Sequence, residues 1–155
     1  MREALVILVA EDNEHDVLLM KRALQKAAIS DNVHFVSDGQ DTIDYLAGNG
    51  KYADRNSHPL PHFAFLDIKM PRKTGLEALE WMRAQTRFKQ LPVMVVSAAI
   101  EEKDIKRAHE LRASSYVVKP ASVEQLVREF KRFYVFWWPI ASSQKFVMGE
   151  YHAHA

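Results

Sequence analysis

Residues 63–71 read Phe63-Ala64-Phe65-Leu66-Asp67-Ile68-Lys69-Met70-Pro71, and this segment is the strongest indication of the fold. Its first four residues are apolar without interruption, and a carboxylate follows them directly. A short continuous apolar run is typical of a strand that is buried on both faces of a parallel sheet. Because ligands of such sheets bind at the carboxyl ends of the strands, Asp67 is a candidate site residue.

Other apolar runs of this kind lie on both sides of that stretch. They are Leu5 to Val9, Val33 to Ser37, Val93 to Val96 and Tyr116 to Val118. A longer segment with apolar residues at helical spacing follows each run, and Asn13 and the Thr74–Glu77 pair are suited to cap two of these helices. Strands that alternate with helices predict an α/β domain with a doubly wound five-stranded parallel sheet flanked by helices. The polar segment from Gly48 to His62 interrupts this pattern and is expected to be a loop.

Polar side chains end four of the predicted strands at one edge of the sheet. The first strand ends in Glu11-Asp12, the third in Asp67 and the fourth in Ser97, and the fifth runs into Lys119. Several hard oxygen ligands are what Mg²⁺ prefers, and a cluster of carboxylates is costly unless a cation compensates its charge. The ammonium of Lys119 would neutralise part of the remaining charge and could contact an incoming phosphoryl oxygen.

Together these residues resemble the phosphorylation motif of bacterial response-regulator receiver domains. The resemblance rests on residues 65–71 with Gly75 four positions later, on the acidic pair, on Ser97-Ala98 and on Lys119-Pro120. It covers roughly residues 4–133, and it is specific because all four motifs occur in order, each at its own strand end. It implies the flavodoxin-like strand order 2-1-3-4-5 and a phosphoryl-accepting signalling switch rather than an enzyme with turnover.

The resemblance also implies a role for each residue that ends a strand. Asp67 would accept a phosphoryl group from a kinase histidine, and Lys119 would pair with the phosphoryl oxygens. Asp12, Asp67 and the main-chain carbonyl of Lys69 would bind Mg²⁺, with Glu11 acting through a bound water. Such chemistry depends mostly on positioning and charge neutralisation.

The expected switch involves Ser97 and Tyr116. The Ser97 hydroxyl would swing to hydrogen-bond the phosphoryl group, and Tyr116 would move inward behind it. This would alter the face formed by the fourth helix, the fifth strand and the fifth helix. The simpler alternative is that Tyr116 is a half-buried strand aromatic. Lys69 is a cation where many receivers carry a neutral side chain, and it either changes the lifetime of the acyl phosphate or is merely solvated.

The C-terminal segment is unusually aromatic. Residues 133–138, Phe-Tyr-Val-Phe-Trp-Trp, are too apolar all round for one solvated helix face, and such a patch usually marks an interface. Receivers with a longer loop and an aromatic end to the last helix resemble the small regulators paired with phytochrome-type histidine kinases, for which dimers are expected.

We therefore divide the chain into a receiver domain, 1–133, and a dimerisation extension, 134–155. The predicted homodimer interface is Phe133, Phe136, Trp137 and Trp138. Pro139 is expected to break the helix and to release Ile140 to Met148 as an arm. The alternative is that the segment folds back onto its own domain.

The composition excludes several other classes. The chain has 155 residues, 21 Lys and Arg against 20 Asp and Glu, and no cysteine. One domain is expected, without the basic field that nucleic-acid or membrane partners require and without disulfides or thiolate sites. The apolar runs are too short to span a membrane, so a cytoplasmic location is expected.

Two hypotheses of different classes follow. The first is a single-domain response regulator of a His-Asp phosphorelay, with a sensor histidine kinase, possible passage to a downstream phosphotransfer protein, and Mg²⁺ as cofactor. The alternative is a phosphatase-type hydrolase with an Asp nucleophile. Such a hydrolase needs a second Asp two residues after the first, where this chain has Lys69.

Overall fold

The computed structural model describes residues 5–29, 32–98, 101–119 and 122–143. Along these residues strands and helices alternate from one end to the other. The strands are β1 (Val6–Ala10), β2 (Asn32–Val36), β3 (Phe63–Leu66), β4 (Val93–Ser97) and β5 (Ser115–Val118). The helices are α1 (Glu14–Lys26), α2 (Gly39–Ala47), α3 (Gly75–Ala84), α4 (Glu102–Glu110) and α5 (Val123–Ser143), with a short 3-10 turn at Gly50–Tyr52.

The strands form one parallel sheet in the order β2-β1-β3-β4-β5, which confirms the predicted topology. β1 lies at the centre of the order reversal and pairs with β2 on one side and β3 on the other. All residues of β1, β3 and β4 are buried, as their continuous apolar sequences predict. The carboxyl ends of β1 and β3 therefore meet at one edge, because Ala10 is in register with Leu66.

The two faces of the sheet carry separate cores. Phe63 and Phe65 of β3 point to the side covered by α1 and α5, where Phe65 stacks on Phe130 with 4.9 Å between ring centroids. Ala64 and Leu66 point to the other side and pack against residues from α2, α3 and α4. Successive strand residues alternate between faces, so one buried strand serves both cores.

The helices begin close to the strand ends because side chains cap them there. The Asn13 side chain accepts a hydrogen bond from the backbone N–H of Asp16 at 3.0 Å. Thr74 and Glu77 form the predicted capping box at the start of α3. α1 therefore starts four positions after the end of β1. α3 starts nine positions after the end of β3, but the Gly75 N–H donates a 2.9 Å hydrogen bond to the Ile68 carbonyl and so brings the start of α3 back to that strand end.

The prediction that Pro139 breaks the last helix is wrong. α5 continues from Val123 to Ser143 with Pro139 inside it. Proline lacks the N–H that would bond the carbonyl four residues earlier, that of Val135. Pro139 and Val135 are both exposed, so the missing hydrogen bond falls where the helix faces solvent. The predicted arm from Ile140 to Met148 is thus helical as far as Ser143, and its remainder lies outside the described residues.

The segment between α2 and β3 is a loop, as predicted, and α2 anchors it. The Arg55 guanidinium donates hydrogen bonds of 2.7 Å to the carbonyl oxygens of Tyr45 and Leu46, at the last turn of α2. The Tyr52 hydroxyl lies 2.7 Å from a carboxylate oxygen of Asp41, at the first turn. The loop therefore contacts both ends of α2.

Within the described ranges, no helix combines the length and the apolar content that crossing a membrane requires.

Candidate functional site

The carboxyl ends of β1 and β3 bring three carboxylates together. Oxygen atoms of Glu11, Asp12 and Asp67 all lie within 4.8 Å of one another. Glu11 and Asp67 are buried, whereas Asp12 is exposed. The backbone N–H of Asp67 donates a 3.0 Å hydrogen bond to the Ala10 carbonyl, which fixes the residue just beyond the end of β3. The sequence predicted this grouping from the strand ends alone.

Lys119 reaches into the same cluster from the end of β5. Its Nζ lies 2.5 Å from Glu11 Oε1, 3.0 Å from Asp16 Oδ2 and 3.3 Å from Asp67 Oδ2. Only 12% of the Lys119 side chain is exposed, and its backbone N–H donates to the Ser97 carbonyl at 2.9 Å. The ammonium is therefore held among carboxylates, and it can neutralise only one of their charges.

Asp16 is the site residue that sequence reasoning missed. It lies in the first turn of α1, where the sequence suggested only a favourable charge for the helix start. Its carboxylate points back to Lys119 because Asn13 starts the helix immediately after the acidic pair. The usable signal was its spacing, since Asp16 follows Asp12 by about one helical turn.

Burial and the charges of neighbouring groups shift the pKa values of Glu11 and Lys119. Burial raises the pKa of Glu11 to about 7 against the hydrogen bond from Lys119, and the negative charge of Asp67 adds to the rise. Burial would lower the pKa of Lys119, but its hydrogen bonds to Glu11 and Asp16 outweigh that effect and raise it. The cluster thus has more negative charge than one ammonium can balance, which favours binding of a further cation.

Ser97 lies at the end of β4, which pairs with β3, and is fully buried. Its Oγ accepts a 3.4 Å hydrogen bond from the backbone N–H of Ile68, the residue after Asp67. An open cavity of about 470 Å³ lies over these groups, lined by Asp12, Asn13, Asp16, Asp67, Lys69, Ser97, Ala98, Glu101 and Lys119. Its volume and polar lining leave room for a phosphoryl group beside the carboxylates.

The Lys69 side chain lies at the rim of this cavity. Its ammonium is 3.3 Å from Glu101 Oε1, and both side chains are more than half exposed. Glu101 is the residue at the N-cap of α4. The Lys69 side chain therefore bridges the loop after β3 to α4 instead of pointing at Asp67. Pro120, and with it the geometry of the Lys119-Pro120 bond, lies outside the described residues.

Tyr116 is half-buried in β5. Burial raises its pKa, and the charges of Asp104 and Asp67 add to this. It borders a groove of about 480 Å³ between β5 and α5, lined by Ser114, Ser115, Tyr116, Glu129, Arg132, Phe133, Phe136 and Trp137. Its inward movement on phosphorylation stays a prediction.

The aromatic residues of α5 divide between core and surface. Phe133 is 4% exposed and packs edge-on against Phe63 and Phe65, so it belongs to the core and reaches the surface only at the floor of the groove between β5 and α5. Trp138 is half-buried and lies 5.1 Å from the His62 ring, centroid to centroid. The aromatic segment thus packs partly on its own domain, because one side of α5 faces the sheet. Phe136 and its neighbour Val135 remain 62% and 70% exposed.

Comparisons with known proteins identify the family of this chain. The model of the response regulator receiver domain family matches residues 7–131. The chain is similar to the phosphorylated cyanobacterial phytochrome response regulator RcpA, with 31% identity, a TM-score of 0.78 and coverage of 89% of this chain and 96% of that one. It is also similar to RPA3017, a response regulator in red light signalling of R. palustris, with 34% identity, a TM-score of 0.77 and coverage of 86% and 93%.

A third relative is the response regulator Rcp1 of Synechocystis sp., which is 27% identical over 132 residues, 85% of this chain and 88% of Rcp1. The Mn²⁺-bound form of Rcp1 has a TM-score of 0.73 to this structure. The family model covers most of the chain, and it includes every residue of the acidic cluster together with Ser97 and Lys119. This chain belongs to the response regulator receiver domain family.

Proposed function

We propose that Asp67 is the phosphoryl acceptor of this response regulator, and that a sensor histidine kinase supplies the phosphoryl group. The observation that carries the proposal is the convergence of the Asp67 carboxylate with Glu11, Asp12 and Lys119. Asp12, Asp67 and Lys119 line one open cavity, and Glu11 is buried beside them. A carboxylate oxygen of Asp67 attacks phosphorus, and the bond between phosphorus and the kinase histidine nitrogen breaks. The product is an acyl phosphate on Asp67 and a free histidine on the kinase.

Mg²⁺ is the proposed cofactor, and the residues present fit it. Asp12, Asp67 and the Lys69 main-chain carbonyl would hold the ion, and Glu11 would act through a bound water. The fit rests on three carboxylates with oxygens within 4.8 Å and on their excess of negative charge. Rcp1 binds Mn²⁺, and oxygen ligands suit both metals. When bound, the ion neutralises charge on the phosphoryl oxygens.

Two further residues act on the phosphoryl group in this proposal. The Lys119 ammonium pairs with a phosphoryl oxygen, and the Ser97 hydroxyl donates a hydrogen bond to another. Ser97 ends β4 and Lys119 directly follows β5, which pairs with β4 and carries Tyr116, so a movement of either side chain would be transmitted to the groove that Tyr116 borders. Inward movement of Tyr116 then alters the face formed by α4, β5 and α5.

The proposed kinase is of the phytochrome type. RcpA is a phytochrome response regulator and RPA3017 acts in red light signalling, and each is more than 30% identical to this chain. We place the reaction in the cytoplasm and include passage to a downstream phosphotransfer protein as a further step of the relay.

We also propose a homodimer formed by the C-terminal extension, 134–155. Its surface would consist of Phe136, Trp137 and Trp138 with the adjacent Val135. The support is that two large apolar side chains of α5 stand exposed beside a groove. Phe133 is excluded because it is buried in the core.

The hydrolase alternative has no observation in its favour. The position two residues after Asp67 is Lys69, and its ammonium pairs with Glu101. A cation held in this way cannot act as the carboxylic acid and base that such a hydrolase requires.

Intact-mass spectrometry after incubation with Mg²⁺ and acetyl phosphate tests the proposal. We expect a gain of one phosphoryl group that is lost when the metal is chelated and is absent in Asp67→Asn. A gain of equal size in Asp67→Asn would exclude Asp67 as the acceptor.

A further inference from the structure

We infer that Asp38 and Arg72 form a latch that positions the phosphoacceptor loop, residues 67–75, for metal binding. Arg72 Nε lies 2.8 Å from Asp38 Oδ2, and its NH2 group lies 3.1 Å from Oδ1. This bidentate pair joins the loop after β3 to the first turn of α2. The inference rests on the proposed function of that loop.

The Asp38 side chain has no freedom to move away from this contact. Its Oδ1 also accepts a 2.7 Å hydrogen bond from the backbone N–H of Asp41, which makes it the N-cap of α2. Only 9% of the side chain is exposed. A carboxylate that is fixed by a helix start is a rigid anchor for the planar guanidinium at the end of the flexible Arg72 side chain.

Arg72 adopts a backbone conformation that its residue type disfavours. Its φ of 63° is left-handed, where glycine is the usual residue. A second contact lies beside the pair, because the Gly39 N–H donates a 2.8 Å hydrogen bond to the Lys73 carbonyl. A Cβ on Gly39 would lie 2.5 Å from that carbonyl oxygen and from the one of Thr74. The start of α2 and the phosphoacceptor loop are therefore in direct backbone contact at the point where Arg72 is held.

Arg72 is close enough in sequence to Asp67 and Lys69 for the latch to influence their positions. Arg72 comes three residues after Lys69, whose carbonyl is a proposed metal ligand, and five after Asp67. Ile68 and Met70 are buried on either side of Lys69, and the Gly75 N–H donates a 2.9 Å hydrogen bond to the Ile68 carbonyl. The latch closes the open side of this short loop and so limits the directions in which the Lys69 carbonyl can point.

Neither residue of the latch lies in the cavity where the proposed phosphoryl transfer occurs. Asp38 and Arg72 are absent from the lining of the cavity over Asp67. They act as positioning residues, by holding the loop that carries the ligands. Groups that orient metal ligands from outside typically change metal affinity by tenfold or more.

For Arg72, charge and position predict opposite changes in Mg²⁺ affinity, which makes the inference testable. Removing the Arg72 cation brings more negative potential to the metal site, so a purely electrostatic effect would tighten Mg²⁺ binding. Removing the Asp38 charge would weaken it for the same reason. If the pair positions the loop, both changes weaken binding.

The experiment is a calorimetric Mg²⁺ titration of the full chain, as wild type, Asp38→Asn, Arg72→Gly and the double variant. Asn still caps α2, and Gly suits the left-handed backbone at position 72, so both variants should fold. We expect each single substitution to weaken Mg²⁺ binding about tenfold. The double variant should bind Mg²⁺ as tightly as the single variant with the lower affinity, because the two residues act through one contact. Arg72→Lys keeps the positive charge but cannot make two parallel hydrogen bonds to Asp38. Its Mg²⁺ affinity should therefore lie between those of Arg72→Gly and the wild type.

Amide hydrogen exchange of the metal-free protein gives a second readout. The latch predicts faster exchange of the Gly75 N–H in both single variants than in the wild type. Wild-type Mg²⁺ affinity and wild-type exchange in both variants would overturn the latch and leave the proposed function intact, and so would affinity changes of opposite sign. A wild-type chain without saturable Mg²⁺ binding would overturn the proposed metal site, and the inference with it.

Discussion

At the scale of single residues, Gly75 decides how closely α3 approaches Asp67, the proposed phosphoacceptor. A Cβ on this residue would overlap the main-chain oxygen of Asp67, and backbone atoms cannot move aside as a flexible side chain can. The reason for glycine here is space. Its backbone conformation is not left-handed, whereas that of Gly50 is, with a φ of 56° and open space around it.

The two glycines provide a matched pair for a stability measurement. We expect Gly75→Ala to lower the free energy of unfolding by about 3 kcal/mol, since the overlap displaces backbone. We expect Gly50→Ala to cost about 1 kcal/mol, from the left-handed backbone alone. Urea denaturation followed by circular dichroism measures both. Equal costs at the two positions would contradict the close approach of α3 to Asp67.

Asp38 should make stability depend on pH in the acid range. Burial would raise its pKa, but the hydrogen bonds from Arg72 and from the Asp41 amide outweigh this and hold the pKa below its usual value. A carboxyl group with a depressed pKa stabilises the fold above its ordinary pKa, about 4, and loses that contribution as the pH falls through the folded pKa.

The stability difference between wild type and Asp38→Asn should therefore be complete at neutral pH and shrink under acid conditions. Urea titrations of both proteins at about pH 7 and about pH 3, on either side of the ordinary carboxyl pKa, measure that difference. A difference that is the same at both pH values would show that the Asp38 charge contributes nothing.

At the scale of elements, α5 carries a proline that the helix tolerates on its exposed side. Replacing Pro139 by Ala adds an N–H that can bond the Val135 carbonyl, and it removes little packing because Pro139 is exposed. We expect Pro139→Ala to raise the free energy of unfolding by roughly 1–3 kcal/mol. Lys131→Ala, at another exposed position of α5, is the control and should change it by less than about 0.5 kcal/mol. A destabilised Pro139→Ala protein would mean that the ring makes a contact which the helix needs.

The sheet could be predicted from sequence because its signals are local. Continuous apolar runs indicated β1, β3 and β4, and the resemblance supplied the strand order. The polar residue after each of these runs also marked the candidate site. The course of α5 could not be predicted, because the cost of Pro139 depends on which side of the helix faces solvent. Phe133 was misplaced for the same reason, since the aromatic run does not reveal which residues face the sheet.

Contacts between distant elements were equally beyond sequence reasoning. The pairing of Asp16 with Lys119 and of Asp38 with Arg72 joins residues that are 103 and 34 positions apart. Nothing in the local sequence around either pair specifies its partner. These contacts depend on how α1 and α2 pack beside the sheet, which only the folded structure fixes.

At the scale of the whole molecule, Asp67, the proposed phosphoacceptor, and the exposed apolar side chains of α5 lie on different elements. The exposed pair Val135 and Phe136 should support the homodimer, and Leu18 offers a control of equal exposure, since Phe136 and Leu18 are each 62% exposed. We expect Phe136→Glu to reduce the mass measured by light scattering to that of one chain and Leu18→Glu to leave it unchanged. A wild-type chain that is already monomeric, or a Phe136→Glu protein that keeps twice the chain mass, would contradict the proposed interface.

The most direct test of the central claim is to locate the phosphoryl group chemically. Borohydride reduces an acyl phosphate on aspartate to homoserine, which peptide mass spectrometry assigns to one position of the chain. After incubation with Mg²⁺ and acetyl phosphate, we expect homoserine at position 67 and no reduction product at any other carboxylate of the cluster. Reduction at Asp12, Asp16 or Glu11, with Asp67 unchanged in a phosphorylated protein, would contradict the proposed role of Asp67.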